Sequence, residues 1–243
     1  MSDTRRAGMS RRRLLTTVGT AAAGAAALGL LPKGAGAHDL TPTDPQYHFA
    51  EYEAIVNRDV AFRQVWQWRD ILNPIVSINI SNALNAAEFA YGAPAGEFQV
   101  VVQAYHVANA ALYDDYLWTT YRLGEAFGVM DAATGKPATR NPFYKSQLAA
   151  PPTRLGDRAD PYYADSSIEG LQWRGVLYLA CHNSVHGHAL QAVAGGRNPN
   201  NQPAAAIVAD IVAHLVPGDI MIPAGVFELV RLQDKGYRLA VAI

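Results

Sequence analysis

Cysteine occurs once in these 243 residues, at Cys181. A single thiol excludes an intramolecular disulfide and leaves a residue that is either buried and inert or reactive for a purpose. Phosphate-cradling glycine patterns are missing too. There is no Walker sequence, and Gly195 and Gly196 lack both the dinucleotide-binding spacing and a preceding strand. Nicotinamide and nucleotide chemistry is thereby disfavoured. Basic clusters are absent beyond residue 37. The whole chain carries 20 Lys and Arg against 21 Asp and Glu, and residues 38–243 keep 14 against 20, a net charge of −6. No stripe is left there to neutralise a polyanion, so nucleic acid is not expected as a partner.

What is present begins with an address. Ser10, Arg11, Arg12, Arg13, Leu14 and Leu15 read as a twin-arginine signal, followed by a mildly hydrophobic run to Leu31 and small residues at Ala35, Gly36 and Ala37. The run is rich in Gly, Ala and Thr, a poor membrane anchor. The expectation is a signal peptide over 1–37, cleavage after Ala37, no stable membrane insertion afterwards, and a periplasmic or secreted protein. Such export carries folded proteins, so a cofactor could be loaded beforehand, but no sequence feature names one.

Residues 38–243 are long enough for one substantial core, and no linker divides them. Residues 38–70 are expected to form a helical extension, with Phe49, Tyr52, Ile55, Val56, Phe62, Val65 and Trp66 on its apolar side. Ile75–Ile80 reads as a first strand, with Ser81 capping a helix to about Phe89. Phe98–Tyr105 reads as a second strand ending at His106, and a helical pattern runs from Ala108 to Phe127. Residues 128–170 are expected to be an insertion with little regular structure, a surface excursion or lid. Gly175–Ala180, Asp219–Ile222 and Tyr237–Ile243 complete five strands, separated by helices near Val185–Val193, from Pro203 to Pro217, and from Ala224 to Gly236. Strands alternating with helices imply a three-layer, mostly parallel α/β sheet with helices on both faces.

In such a sheet, ligands meet the carboxyl ends of strands. The apolar run Val176–Ala180 gives way there to Cys181, His182, Asn183 and Ser184, with His186 and His188 close behind. A cysteine at a helix start gains from backbone amides, and His182 or His186 could supply charge or act as a base. Cys181, His186 and His188, joined by His106, also offer soft and borderline ligands suited to zinc or copper. His186 and His188, two residues apart, diverge on a regular helix. Asp114 and Asp115 are expected to diverge on a solvated helix face, and His214 to sit at a helix end.

The segment from Cys181 to Ser184, the run Leu215–Gly225 and the following Val226–Gly236 together resemble the DsrE-like superfamily, in particular its exported, twin-arginine-bearing branch. The resemblance is strongest over 171–243 and extends to 74–127. It implies a flavodoxin-like α/β core, a tendency to homo-oligomers, and a persulfide-carrying cysteine at Cys181, with Asn183 and Ser184 beside it, that exchanges sulfur with a donor or acceptor protein. Three readings stay open: a sulfur carrier or thiol-reactive protein, a metal protein using Cys181, His186, His188 and His106, and a non-enzymatic interaction module shaped by residues 128–170. Whether the protein is an enzyme is also open.

Overall fold

The computed structural model describes residues 47–145, 147 and 164–241, so the expected signal peptide over 1–37, and residues 146 and 148–163 of the expected insertion over 128–170, lie outside the described residues. The chain from Pro42 to Ile243 groups into one unit. Its elements are α1 (Phe49–Val56), β1 (Phe62–Trp68), α2 (Ile75–Asn85) continued by a π-helical turn (Ala86–Ala90), and β2 (Phe98–Ala104). A 3₁₀ segment (His106–Leu112), α3 (Asp115–Thr120), α4 (Leu123–Phe127) and α5 (Ile168–Trp173) follow. The chain continues through β3 (Leu177–Cys181), α6 (His182–Ala194), a 3₁₀ turn (Pro199–Asn201), α7 (Ala204–Ala213), β4 (Ile220–Ile222), α8 (Gly225–Asp234) and β5 (Arg238–Val241).

The five strands form one sheet in the order β4-β3-β2-β1-β5, and every neighbouring pair is parallel. Crossovers march from β1 to β4 in one direction, then α8 returns beneath the sheet to place β5 on the far side of β1. Each face carries its own core. On the first, Trp66, Trp68, Val100, Val102, Tyr178 and Met221 pack against Val76, Ile80 and Leu84 of α2, Val185 and Ala189 of α6, and Ile207 and Ile211 of α7. On the second, Val65, Val101, Leu177, Leu179, Ile220 and Ile222 pack against Tyr52 and Val56 of α1 and Leu232 of α8. Burial on both faces explains the near-continuous apolar character of β2 and β3.

Two elements differ from the sequence reading. Phe62–Trp68 is a strand, paired on both sides, rather than part of a helical extension. Val65 faces one core while Trp66 and Trp68 face the other, so the 62, 65, 66 spacing that imitated a helix is the signature of a doubly buried strand. Conversely, Ile75–Ile80 is helical. Its β-branched residues suggest a strand, but Val76, Ile80 and Leu84 recur every four residues and face the core, and Pro74 stands at the helix entrance. The Ala108–Phe127 region is broken into one 3₁₀ segment and two short helices.

The described part of the insertion is anchored to the core. Asn141 Nδ2 donates to the carbonyls of Ala111 and Tyr113, both at 2.7 Å, while its Oδ1 accepts the amides of Phe143 and Tyr144. Phe143 then packs edge-on against Trp68, ring centres 5.6 Å apart. Asp114 and Asp115 are also more engaged than a solvated face requires. Asp114 caps α3 through Leu117 N–H and pairs with His214 at 3.0 Å, and Asp115 accepts from Arg140 and from the Asn141 amide.

Candidate functional site around Cys181

Cys181 is the last residue of β3 and the N-cap of α6, and only 5% of it is exposed. Its side chain follows the parity of Leu177 and Leu179 onto the second face, where α8 begins. The register pairs Cys181 with Ile222, the end of β4, so the turn through Pro223 and Ala224 delivers the first residue of α8 beside the sulfur. Gly225 N–H donates to Cys181 Sγ at 3.3 Å. A backbone amide and the amino end of α8 therefore both face the thiol sulfur.

The backbone of Cys181 is clamped from the other face. Asn109, fully buried in the 3₁₀ segment, accepts Cys181 N–H on Oδ1 at 2.8 Å and donates from Nδ2 to the Cys181 carbonyl at 3.3 Å. The same Nδ2 donates to Tyr113 Oη at 2.9 Å. With its lone pair so used, Tyr113 donates onward to His188 Nδ1 at 2.9 Å, and the remaining ring N–H of His188 bonds the His106 backbone carbonyl. Burial lowers the His188 pKa from 6.5 to about 4, so the ring is neutral at pH 7 and fits this chain of bonds. Burial likewise pushes the Tyr113 hydroxyl far above its ordinary range, so it stays protonated as a donor.

His106 sits in the left-handed region, φ 54°, an unusual conformation for a non-glycine residue. Two residues of α6 one turn apart hold it there. Ser184 Oγ accepts His106 N–H at 2.8 Å, and His188 holds its carbonyl. Ser184 and His188 thus position the loop after β2 against the loop after β3.

A cleft of about 350 Å³ opens between these loops, bordered by Tyr105, His106, Cys181, Asn183, Gly225 and Val226. Asn183 is exposed at its edge. His182 turns aside: its Nδ1 lies 3.2 Å from the Tyr47 hydroxyl, and its ring meets His186 edge-on with centres 4.7 Å apart. His188 packs instead against Tyr113 and Phe127. The histidines expected as metal ligands therefore face different neighbours. Among the described residues no three His, Cys, Asp or Glu side chains form a group that could hold a metal ion.

Sequence reasoning missed Asn109, Tyr113 and Gln103. Asn109 was detectable as the one amide in the run Val107–Leu112, otherwise aliphatic. Gln103 has no comparable signal. It is fully buried on the second face, and neither its Nε2 nor its Oε1 finds a partner among the described residues. It lies under Gly225, where a Cβ would come within 2.9 Å of Gln103 Nε2 and 3.4 Å of the Tyr105 Cβ, so glycine is what lets α8 start this close to the sheet.

Among the described residues no helix is long and apolar enough to cross a membrane. No protein-family profile, curated protein or solved structure matches this chain.

Proposed function

We propose that this is an exported thiol protein of the DsrE-like kind that accepts a sulfane sulfur on Cys181 and passes it to a partner. The observation that carries this reading is the Gly225 N–H donated to Cys181 Sγ at the start of α8, with the Cys181 backbone fixed on both sides by Asn109. In the loading step the Cys181 thiolate attacks the outer sulfur of a donor persulfide. An S–S bond forms, the donor's own S–S bond breaks, and its electron pair leaves on the donor thiolate with no net redox change. An acceptor thiolate then removes the terminal sulfur by the same exchange.

The cleft leaves room for one small group beside the sulfur. Val226, Phe227 and Val230, half or more exposed on α8 next to it, supply an apolar surface for the donor or acceptor protein or for a second copy of the chain. The periplasmic or secreted location rests on the twin-arginine sequence.

Incubation of the mature protein with inorganic polysulfide tests the reading, followed by intact mass and cyanide-releasable sulfur. One added sulfur on the Cys181 peptide, absent in Cys181→Ser, supports a carrier. A wild type that takes up no sulfur, or a Cys181→Ser variant that still does, overturns it.

A further inference from the structure

Gln103 lies on β2 between Val101 and Tyr105, in the parity of the second face. The register sets it opposite Leu179, the second-face residue of β3 that precedes Cys181. No part of it reaches solvent, and both Nε2 and Oε1 lack hydrogen-bond partners among the described residues. Val101 and Leu179 beside it are fully buried and apolar. A carboxamide so placed costs stability, because folding strips its water and gives no hydrogen bond in return. Leucine or methionine would occupy a similar volume without that cost, so the amide itself is the feature to explain.

The amide ends against the residue that holds the sulfur. A Cβ on Gly225 would stand 2.9 Å from Gln103 Nε2 and 3.4 Å from the Tyr105 Cβ, while Gly225 N–H donates to Cys181 Sγ at 3.3 Å. Gly225 and Tyr105 both border the Cys181 cleft. Gln103 therefore stands just behind that cleft, on the same face of the sheet as Sγ, with the Gly225 backbone next to both. Other polar side chains at this corner are already engaged. Ser184 holds the His106 amide, and Tyr113 joins Asn109 to His188.

Sulfur loading would bring a new atom to this corner. The outer sulfur of a persulfide stands about 2 Å beyond Sγ. It carries either the negative charge of the perthiolate or the proton of its acid form. A carboxamide serves both: Nε2–H donates to the anion, and Oε1 accepts from the S–H.

We propose that Gln103 holds the carried sulfur: the outer sulfur of loaded Cys181 turns inward beneath α8 and hydrogen-bonds the Gln103 carboxamide. This rests on the reading of Cys181 as a sulfur carrier and adds that the loaded form is selectively stabilised.

Equilibration of full-length wild type, Gln103→Leu and Gln103→Met with glutathione persulfide tests it, with sulfur on Cys181 read by intact mass and melting temperatures read by circular dichroism. In the exchange, the Cys181 thiolate takes the outer sulfur as a new S–S bond forms. The donor S–S bond breaks, and its electron pair leaves on the glutathione thiolate. Unloaded, both variants are expected to melt at or above wild type, since an unpaired amide has been removed. Loading raises the melting temperature of wild type alone, and the loading equilibrium constant falls about tenfold in both variants, as for the loss of one hydrogen bond to a charged group. The assignment fails, with the carrier reading intact, if wild type loads and both variants load to the same extent with the same melting shift. It also fails if both unloaded variants melt well below wild type, because Gln103 is then already bonded without the sulfur, as to an internal water. A wild type that takes up no sulfur overturns the carrier reading and this assignment together.

Discussion

Replacing His188 tests the hydrogen-bonded chain behind Cys181. In the folded protein His188 is held neutral by burial, with a pKa of about 4 against 6.5 for a free imidazole. The folded state therefore binds fewer protons than the unfolded state between these values, and stability falls as pH drops from about 6.5 to about 4, below which this contribution levels off. At 1.36 kcal/mol per unit, the full loss is about 3 kcal/mol, with about 2 kcal/mol already gone at pH 5. Protonation also turns Nδ1 from acceptor to donor, so the Tyr113 O–H loses its partner and the clamp on Cys181 loosens. The assay is urea unfolding of wild type, His188→Asn and His188→Gln at intervals from pH 7.5 to 4.5. The variants are less stable at pH 7 but lose less on acidification, the difference approaching 2 kcal/mol at pH 5. Because other titrating groups are common to all three proteins, parallel pH curves would refute the reasoning, as would a His188 imidazole that titrates near 6.5 by NMR.

Three further outcomes are expected. Gly225→Ala drives a methyl group into Gln103 and costs roughly 1–3 kcal/mol of stability; the double variant with Gln103→Ala recovers most of that loss, whereas simple additivity in a thermal-melt cycle would count against the contact. Asn109→Ala leaves the Cys181 amide without its partner and destabilises by roughly 1–3 kcal/mol in urea, more than Tyr113→Phe does. Burial opposes ionisation of Glu53, but Lys235, Asn57 and Arg231 outweigh it and hold its pKa below 4.5. Its stabilisation is therefore complete above about pH 4.5 and is lost as pH falls further, so Glu53→Gln flattens the acid limb of the stability curve.

The layered parallel sheet was legible because β2, β3 and β4 are short apolar runs bounded by turn residues, and because helices separate them. The exchange of roles between Phe62–Trp68 and Ile75–Ile80 was not. A central strand buried on both faces loses its alternation, and a β-branched helix imitates a strand, so local pattern misleads where tertiary burial decides. At the site, Cys181 at the end of β3 and Ser184 beside it could be placed from the sequence. The partnership of Cys181 with Gly225 could not, since it depends on the register of β3 with β4 and on the crossover of α8. Nor could the inward roles of His188 and Asn109, because a buried imidazole and a ligand imidazole look alike in a sequence.

The pairing of β1 with β5 has a consequence for synthesis. Gln64–Gln67 can recruit β2 soon after both are made, but its other edge waits for Arg238–Val241. Until those residues emerge, the growing chain displays an open row of amides and carbonyls beside two tryptophans, a surface inviting mispairing with other chains. A protein ordered this way gains from a chaperone, or from a delay before its next cellular step, that lasts until β5 has docked.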